Sequence, residues 1–149
     1  MLSASRGWAF LPPARTPLPN IDPHSAAVAG SGAITAEQTQ AAAELRSRLP
    51  RARVDFDEVT GAPAMVSVMN SLLTGAQGAG KAIAAATLAA VPANEPHRVT
   101  KAFLREHSKL FGYGPEVLDQ AAVKREFVGA HNGLKTVVWE QQVEGIPVF

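Results

Sequence analysis

Four groups of residues have the types and spacing that chemistry needs. Gly75-Ala-Gln-Gly-Ala-Gly80-Lys81 reproduces the first seven positions of a P-loop, G-x-x-x-x-G-K. In such a loop, backbone N–H groups cradle phosphates, the lysine reaches the outer ones, and a Ser or Thr at the eighth position holds magnesium. Here the eighth residue is Ala82, which has no side-chain oxygen. No later apolar strand ending in Asp completes a magnesium site, so nucleotide binding ranks last among the readings. Asp55 and Asp57 alternate as calcium-loop acids do. The sixth and twelfth positions counted from Asp55, however, are Thr60 and Val66, where that loop needs Gly and Glu. Two acids on a hairpin strand are expected instead.

The four histidines are His24, His97, His107 and His131, and no pair has the His-Glu-x-x-His spacing that holds zinc and activates water. On an ideal helix His97 and His107 would stand about 80° apart. Without cysteine there is no thiol nucleophile, and no Gly-x-Ser-x-Gly elbow presents a serine. This chain is therefore expected not to be an enzyme, with no catalytic residue, metal ligand or cofactor site of its own. The fourth group is basic. Arg98, Lys101, Arg105 and Lys109 form a ridge along one predicted helix, either a solvated face or a contact for an acidic partner surface.

The elements that would position these groups follow from periodicity. Val99, Ala102, Phe103, Glu106 and Leu110 fall at i, i+3, i+4, i+7 and i+11, which predicts a mostly apolar stripe on a helix over 97–110. Asn94 is the expected N-cap, with Pro96 in the first turn, and Gly112 the left-handed stop. Alternation then predicts strands over 121–129 and 134–143, turning at Asn132–Gly133, and a third over 146–149 after Glu144–Gly145. Val137, Trp139 and Val143 are expected on the buried face and Glu140 on the other.

Upstream, Thr35 and Gln38 fit a capping box that opens a helix ended by Pro50. Its apolar face is thin, so it is expected at the periphery. Val54 to Val68 reads as a hairpin turning at Thr60–Gly61, expected at the edge of the same sheet. An Ala-rich helix follows Lys81. The fold class is therefore α+β: a helix packed on an antiparallel sheet, preceded by peripheral helices and a Pro-rich tail. Residues 1–32 carry five of the chain's eleven prolines and are expected to be a disordered Pro/Gly/Ala-rich tail.

Composition narrows the classes further. Of 149 residues, 46% are hydrophobic and 18% charged, enough for a core; the net charge of +1 gives no global attraction to nucleic acid or anionic membranes. No apolar run is long enough to span a bilayer. No secretory signal is visible before the first prolines.

The last third of the chain resembles the FTP domain, the fungalysin/thermolysin propeptide module of secreted zinc metallopeptidase precursors. AFLREHSKLFGY at 102–113, the strand REF followed by HNGLKTVVWEQQ, and the closing GIPVF occur in that family's order. The resemblance implies an FTP-like propeptide domain over 93–149, truncated at its C-terminus, and an N-terminal propeptide region over 33–92 with a helix, a hairpin and an Ala-rich helix. It implies that the chain assists folding of, and inhibits, a downstream catalytic domain, normally in cis. Zinc would belong to that domain alone, and the precursor would be secreted. The alternative is a free-standing secreted protein-binding module.

Overall fold

The computed structural model describes residues 32–131 and 133–147, so the expected tail lies outside the described residues except for Gly32. Helix α1 (Ala36–Arg48) starts as its sequence dictates. Thr35 Oγ1 accepts the Gln38 N–H at 3.1 Å, and Gln38 Oε1 accepts the Thr35 N–H at 2.9 Å. This reciprocal cap satisfies two N–H groups that an α-helix leaves without partners.

Strands β1 (Ala52–Phe56) and β2 (Pro63–Val68) pair antiparallel as a separate two-stranded sheet. The hairpin does not extend the C-terminal sheet, contrary to expectation. Ala52 and Val54 turn into the core beside α1, which fixes the ribbon to the helical body. Next come α2 (Ala85–Ala89), α3 (Arg98–Glu106) and α4 (Ser108–Phe111). The single helix expected over 97–110 is thus broken at His107, whose φ of −111° lies outside the helical range. Helix α3 also starts at Arg98, after a turn through Glu95 to His97, so Asn94 is not its cap. Gly112 closes α4 at φ 80°, the left-handed stop its sequence suggested.

After a 3-10 segment at Pro115–Gln120, β3 (Ala121–Val128), β4 (Lys135–Val143) and β5 (Ile146–Pro147) form an antiparallel meander in the order β3-β4-β5. Glu144 (φ 53°) and Gly145 (φ 80°) make the β4–β5 turn, both in the left-handed region that tight hairpins require. The molecule is α+β.

The core lies among the helices and the β1–β2 ribbon. Leu45 of α1 and Leu110 of α4 are fully buried, joined by Ala41, Ala42, Val54, Ala82, Ile83, Ala102 and Phe103. The first helix is therefore central, a correction to the peripheral placement. Its alanines make the apolar face thin in side-chain bulk, but small residues let α4 and β1 approach closely, and close approach excludes water. Helix α3 meets the meander at its N-terminal end, where the His97 ring stands edge-on to Trp139 at 5.1 Å between centroids. Trp139 and Val137 are half-buried there. Val143, of the same strand parity, lies beyond the reach of α3 and is 63% exposed.

Candidate functional site

Each sequence-marked group can now be placed. In the P-loop-like stretch the amides of Gly78 and Gly80 are taken up internally, as is that of Ala82 just after it. Gly80 N–H donates to Thr74 O at 2.6 Å, Ala82 N–H to Leu73 O at 3.2 Å, and Gly78 N–H to Gly75 O at 3.4 Å. A Cβ on Gly80 would collide with the Leu73 carbonyl, so glycine is required there for close backbone packing. Helix α2 begins four residues after Lys81 and has only five residues, so it does not follow the loop directly as the helix of a P-loop does. Ala82, in the position of the magnesium hydroxyl, is fully buried in the core.

The two acids are also engaged. Asp55 pairs with Arg53 at 2.9 Å along β1. Asp57 lies past the end of β1 and caps the hairpin turn: its Oδ1 accepts the N–H groups of Thr60 (2.7 Å) and Val59 (3.0 Å) and the Thr60 hydroxyl (2.9 Å). The Thr60 N–H bond above all holds the Asp57 carboxyl below its ordinary range. This is an Asx turn.

Among the histidines, His24 lies outside the described residues and His131 is exposed in the β3–β4 turn. His97 adopts φ 54°, with Nε2 3.9 Å from Glu126 Oε2. His107 is 7% exposed, and its Nε2 lies 2.8 Å from the Ala82 carbonyl oxygen. A carbonyl can only accept, so Nε2 carries the proton. Burial pushes His107 below its ordinary value. Among the described residues no group of three or more His, Cys, Asp or Glu side chains is arranged to hold a metal ion.

The basic ridge does not present four equivalent charges. Arg98 turns inward, donating from Nε to Val91 O (2.9 Å) and from Nη2 to Leu88 O (2.6 Å), and so caps the carbonyl end of α2. Lys101 bonds to Glu95, with Asp119 at 3.7 Å; the Glu95 hydrogen bond, foremost, raises its pKa. Lys109 stands 3.7 Å from Glu37. Arg105 and Lys109 are the exposed members.

One cluster escaped the sequence reading. Glu106 receives Arg48 of α1 on Oε1 and the Thr87 hydroxyl of α2 on Oε2, joining three helices at one carboxylate next to His107. Burial alone would raise the Glu106 pKa, but the hydrogen bonds from Thr87 and Arg48 outweigh it and hold the pKa down. The cavity beside the cluster has a volume of about 40 Å³. That is room for a water and not a substrate, which makes the cluster a structural knot. Its signal in the sequence was a carboxylate, Glu106, standing in an otherwise apolar stripe.

The principal concavity lies elsewhere. A cleft of about 790 Å³ opens between the two sheets, walled by β2, the 71–77 loop, the first turn of α3 and the start of β4. Of the residues singled out in the sequence, Gly75 and Gln77 of the P-loop-like stretch, His97, and Arg98 of the ridge line it. No helix among the described residues is long and apolar enough to cross a membrane. The chain matches no known protein family, no curated protein and no solved structure.

Proposed function

We propose that the chain is propeptide from a fungalysin/thermolysin-like zinc metallopeptidase precursor, acting on the catalytic domain of that precursor as folding assistant and inhibitor. The observation that carries this reading is the uncovered meander. Val123 is 45% exposed, Val143 63% and Ile146 69%, on a sheet that α3 touches only at its N-terminal end. A sheet with apolar residues open to solvent gains stability when another surface covers it. A segment that binds the near-native enzyme stabilises that enzyme by linkage, and one that lies over its cleft blocks substrate. The resemblance itself rests on the sequence, in which AFLREHSKLFGY, REF, HNGLKTVVWEQQ and GIPVF follow one another in that family's order.

The free-standing binding module draws on the same exposed sheet and differs in its partner. Refolding separates the two. Residues 33–149 are added to the denatured catalytic domain of the precursor, and activity is measured after the fragment is removed. A rise in recovered activity, reduced by Val143→Asp with Ile146→Asp, is the expected result. No rise in recovery together with no binding overturns the propeptide reading. Ridge reversal belongs on Arg105→Glu and Lys109→Glu, because Arg98 and Lys101 hold internal bonds.

A further inference from the structure

His97 stands where the helical body meets the meander, and its chemistry is not used by the core. It occupies the N-cap position of α3, yet its side chain makes no cap bond, and its backbone holds φ 54°. A residue with a Cβ enters this left-handed region at a cost and stays there where its surroundings hold it. The ring reaches across to the sheet instead. It meets Trp139 of β4 at 5.1 Å between centroids, and Nε2 lies 3.9 Å from Glu126 Oε2 of β3. Glu126 pairs with Val137, so Glu126, Val137 and Trp139 share the face of the sheet that looks towards α3. The His97 side chain is 15% exposed.

Little else fastens the sheet. Among the described residues the meander packs chiefly on the 3-10 segment, and that segment on α3, where Lys101 reaches Asp119 at 3.7 Å. The chain enters the 3-10 segment after Gly112, at φ 80°. Glycine is conformationally permissive, so this connection can absorb a change of angle between helices and sheet. The cleft opens beside the joint, with His97 in its wall.

The charges around the ring set the sign of its response to pH. From β3, Glu126 presents Oε2 to the ring while its Oε1 takes Lys135 of β4 at 2.6 Å. The Lys135 hydrogen bond, foremost, holds the Glu126 carboxyl below its ordinary range, so Glu126 stays ionised where imidazoles take up a proton. On the ring's own segment, Arg98 is turned to the Val91 and Leu88 carbonyls and Lys101 to Glu95 and Asp119. Lys135 and the positive end of α3 oppose a charge on the ring. Lys135 is already matched by Glu126, however, and the helix end carries only a partial charge, so the full charge of Glu126 at 3.9 Å decides the sign.

We propose that His97 is an acid-closed clasp: its protonated ring pairs with Glu126 and fastens the meander to α3, and loss of the proton loosens that joint and widens the cleft. Linkage fixes the direction. The closed form binds the proton more tightly than the open form, so closure is favoured fully in acid and the advantage is lost as pH rises through the neutral range. A partly exposed ion pair of this kind shifts an equilibrium about two- to fivefold. His107 also responds to acid, but it lies in the helical core against Ala82 and acts on the stability of the whole chain. The inference goes beyond the propeptide reading and does not depend on it, since it concerns how the sheet is held and not what the sheet binds.

The chain has no cysteine, so two can be introduced for a distance measurement. Nitroxides on Ser71→Cys and His131→Cys in the full chain place one label on the 71–77 loop and one on the β3–β4 turn, and remove a competing histidine. Between pH 8 and 5.5 the ratio of short to long distances should rise about two- to fivefold. His97→Asn keeps a residue that tolerates left-handed geometry and should make the ratio independent of pH. Glu126→Gln should do the same, and because its side chain is 40% exposed it carries the test alone if His97→Asn unfolds. A ratio in the labelled parent chain that stays constant or falls in acid overturns the proposal. So does a rise that survives either substitution in a folded chain.

Discussion

His107 ties the P-loop-like stretch to the helical core, and its replacement gives a distinct pH signature. The ring is buried against Phe103, at 4.7 Å between centroids, and its Nε2–H is donated to the Ala82 carbonyl. His107→Leu keeps most of the bulk but leaves that carbonyl without its donor, at a cost of about 1–3 kcal/mol. At pH 8 the variant should unfold at a correspondingly lower urea concentration, with the slope of the transition unchanged. Acid changes the comparison. Burial depresses the folded-state pKa of His107 below the ordinary 6.5, so below that value the unfolded chain takes up a proton that the folded chain refuses. Stability supplied by the neutral ring is complete above 6.5 and is lost as pH falls through the interval down to the depressed folded value. Each unit of depression corresponds to about 1.4 kcal/mol once the interval is crossed. Glu106, Glu116, Glu126 and Asp57 are all lowered, so their contributions persist through this range and are lost only in stronger acid. Between pH 8 and 5.5 the stability gap between wild type and His107→Leu should therefore narrow, while other histidines cancel in the difference. A gap that stays constant or widens on acidification would refute the assignment of a buried, neutral, Nε2-protonated ring.

Three further substitutions test the packing. Leu110→Ala should cost about 2–5 kcal/mol by urea unfolding and Val143→Ala less than about 0.5, because Leu110 is fully buried and Val143 is open to solvent. Trp139→Ala should destabilise by about 2–3 kcal/mol, its ring being half-buried against His97; Glu140→Ala, which releases Lys124, should cost under about 1, and equal losses would place the β4 phase wrongly. Arg98→Ala should lower the thermal midpoint by several degrees through loss of the α2 cap, whereas Lys109→Ala should leave it nearly unchanged; the reverse order would mean the ridge is not divided as described.

What the sequence disclosed depended on how far each signal acts. Local chemistry was legible: the Thr35–Gln38 box, the stop at Gly112 and the Glu144–Gly145 turn each depend on residues within one turn of the chain. Strand alternation likewise placed β3 and β4 to within a residue of their ends. Errors arose where the outcome depends on residues distant in sequence. The thin alanine face of α1 reads as weak until the neighbours that close upon it are known, and only packing reveals that Leu45 and Leu110 share one core. The break at His107 is equally non-local, since the residue gives up helical geometry while its ring reaches the Ala82 carbonyl, 25 residues earlier.

The candidate sites divide in the same way. Spacing brought Gly75–Lys81 to attention as a phosphate loop, but spacing does not specify where amides point, and those of Gly78 and Gly80 are donated to the Gly75 and Thr74 carbonyls. Arg98 looked like one of four surface charges by helical position, yet the carbonyl end of α2 lies within its reach and holds it. The cleft had no signature at all, because its walls come from segments far apart in sequence. Its place between two sheets is a property of topology, and topology was set when Ala52 and Val54 drew the first hairpin into the helical core. Had that hairpin joined the meander as expected, no cavity would separate the two sheets. The same burial that holds the ribbon against α1 thus creates the site, which places its origin in the core residues and not in the residues that line it.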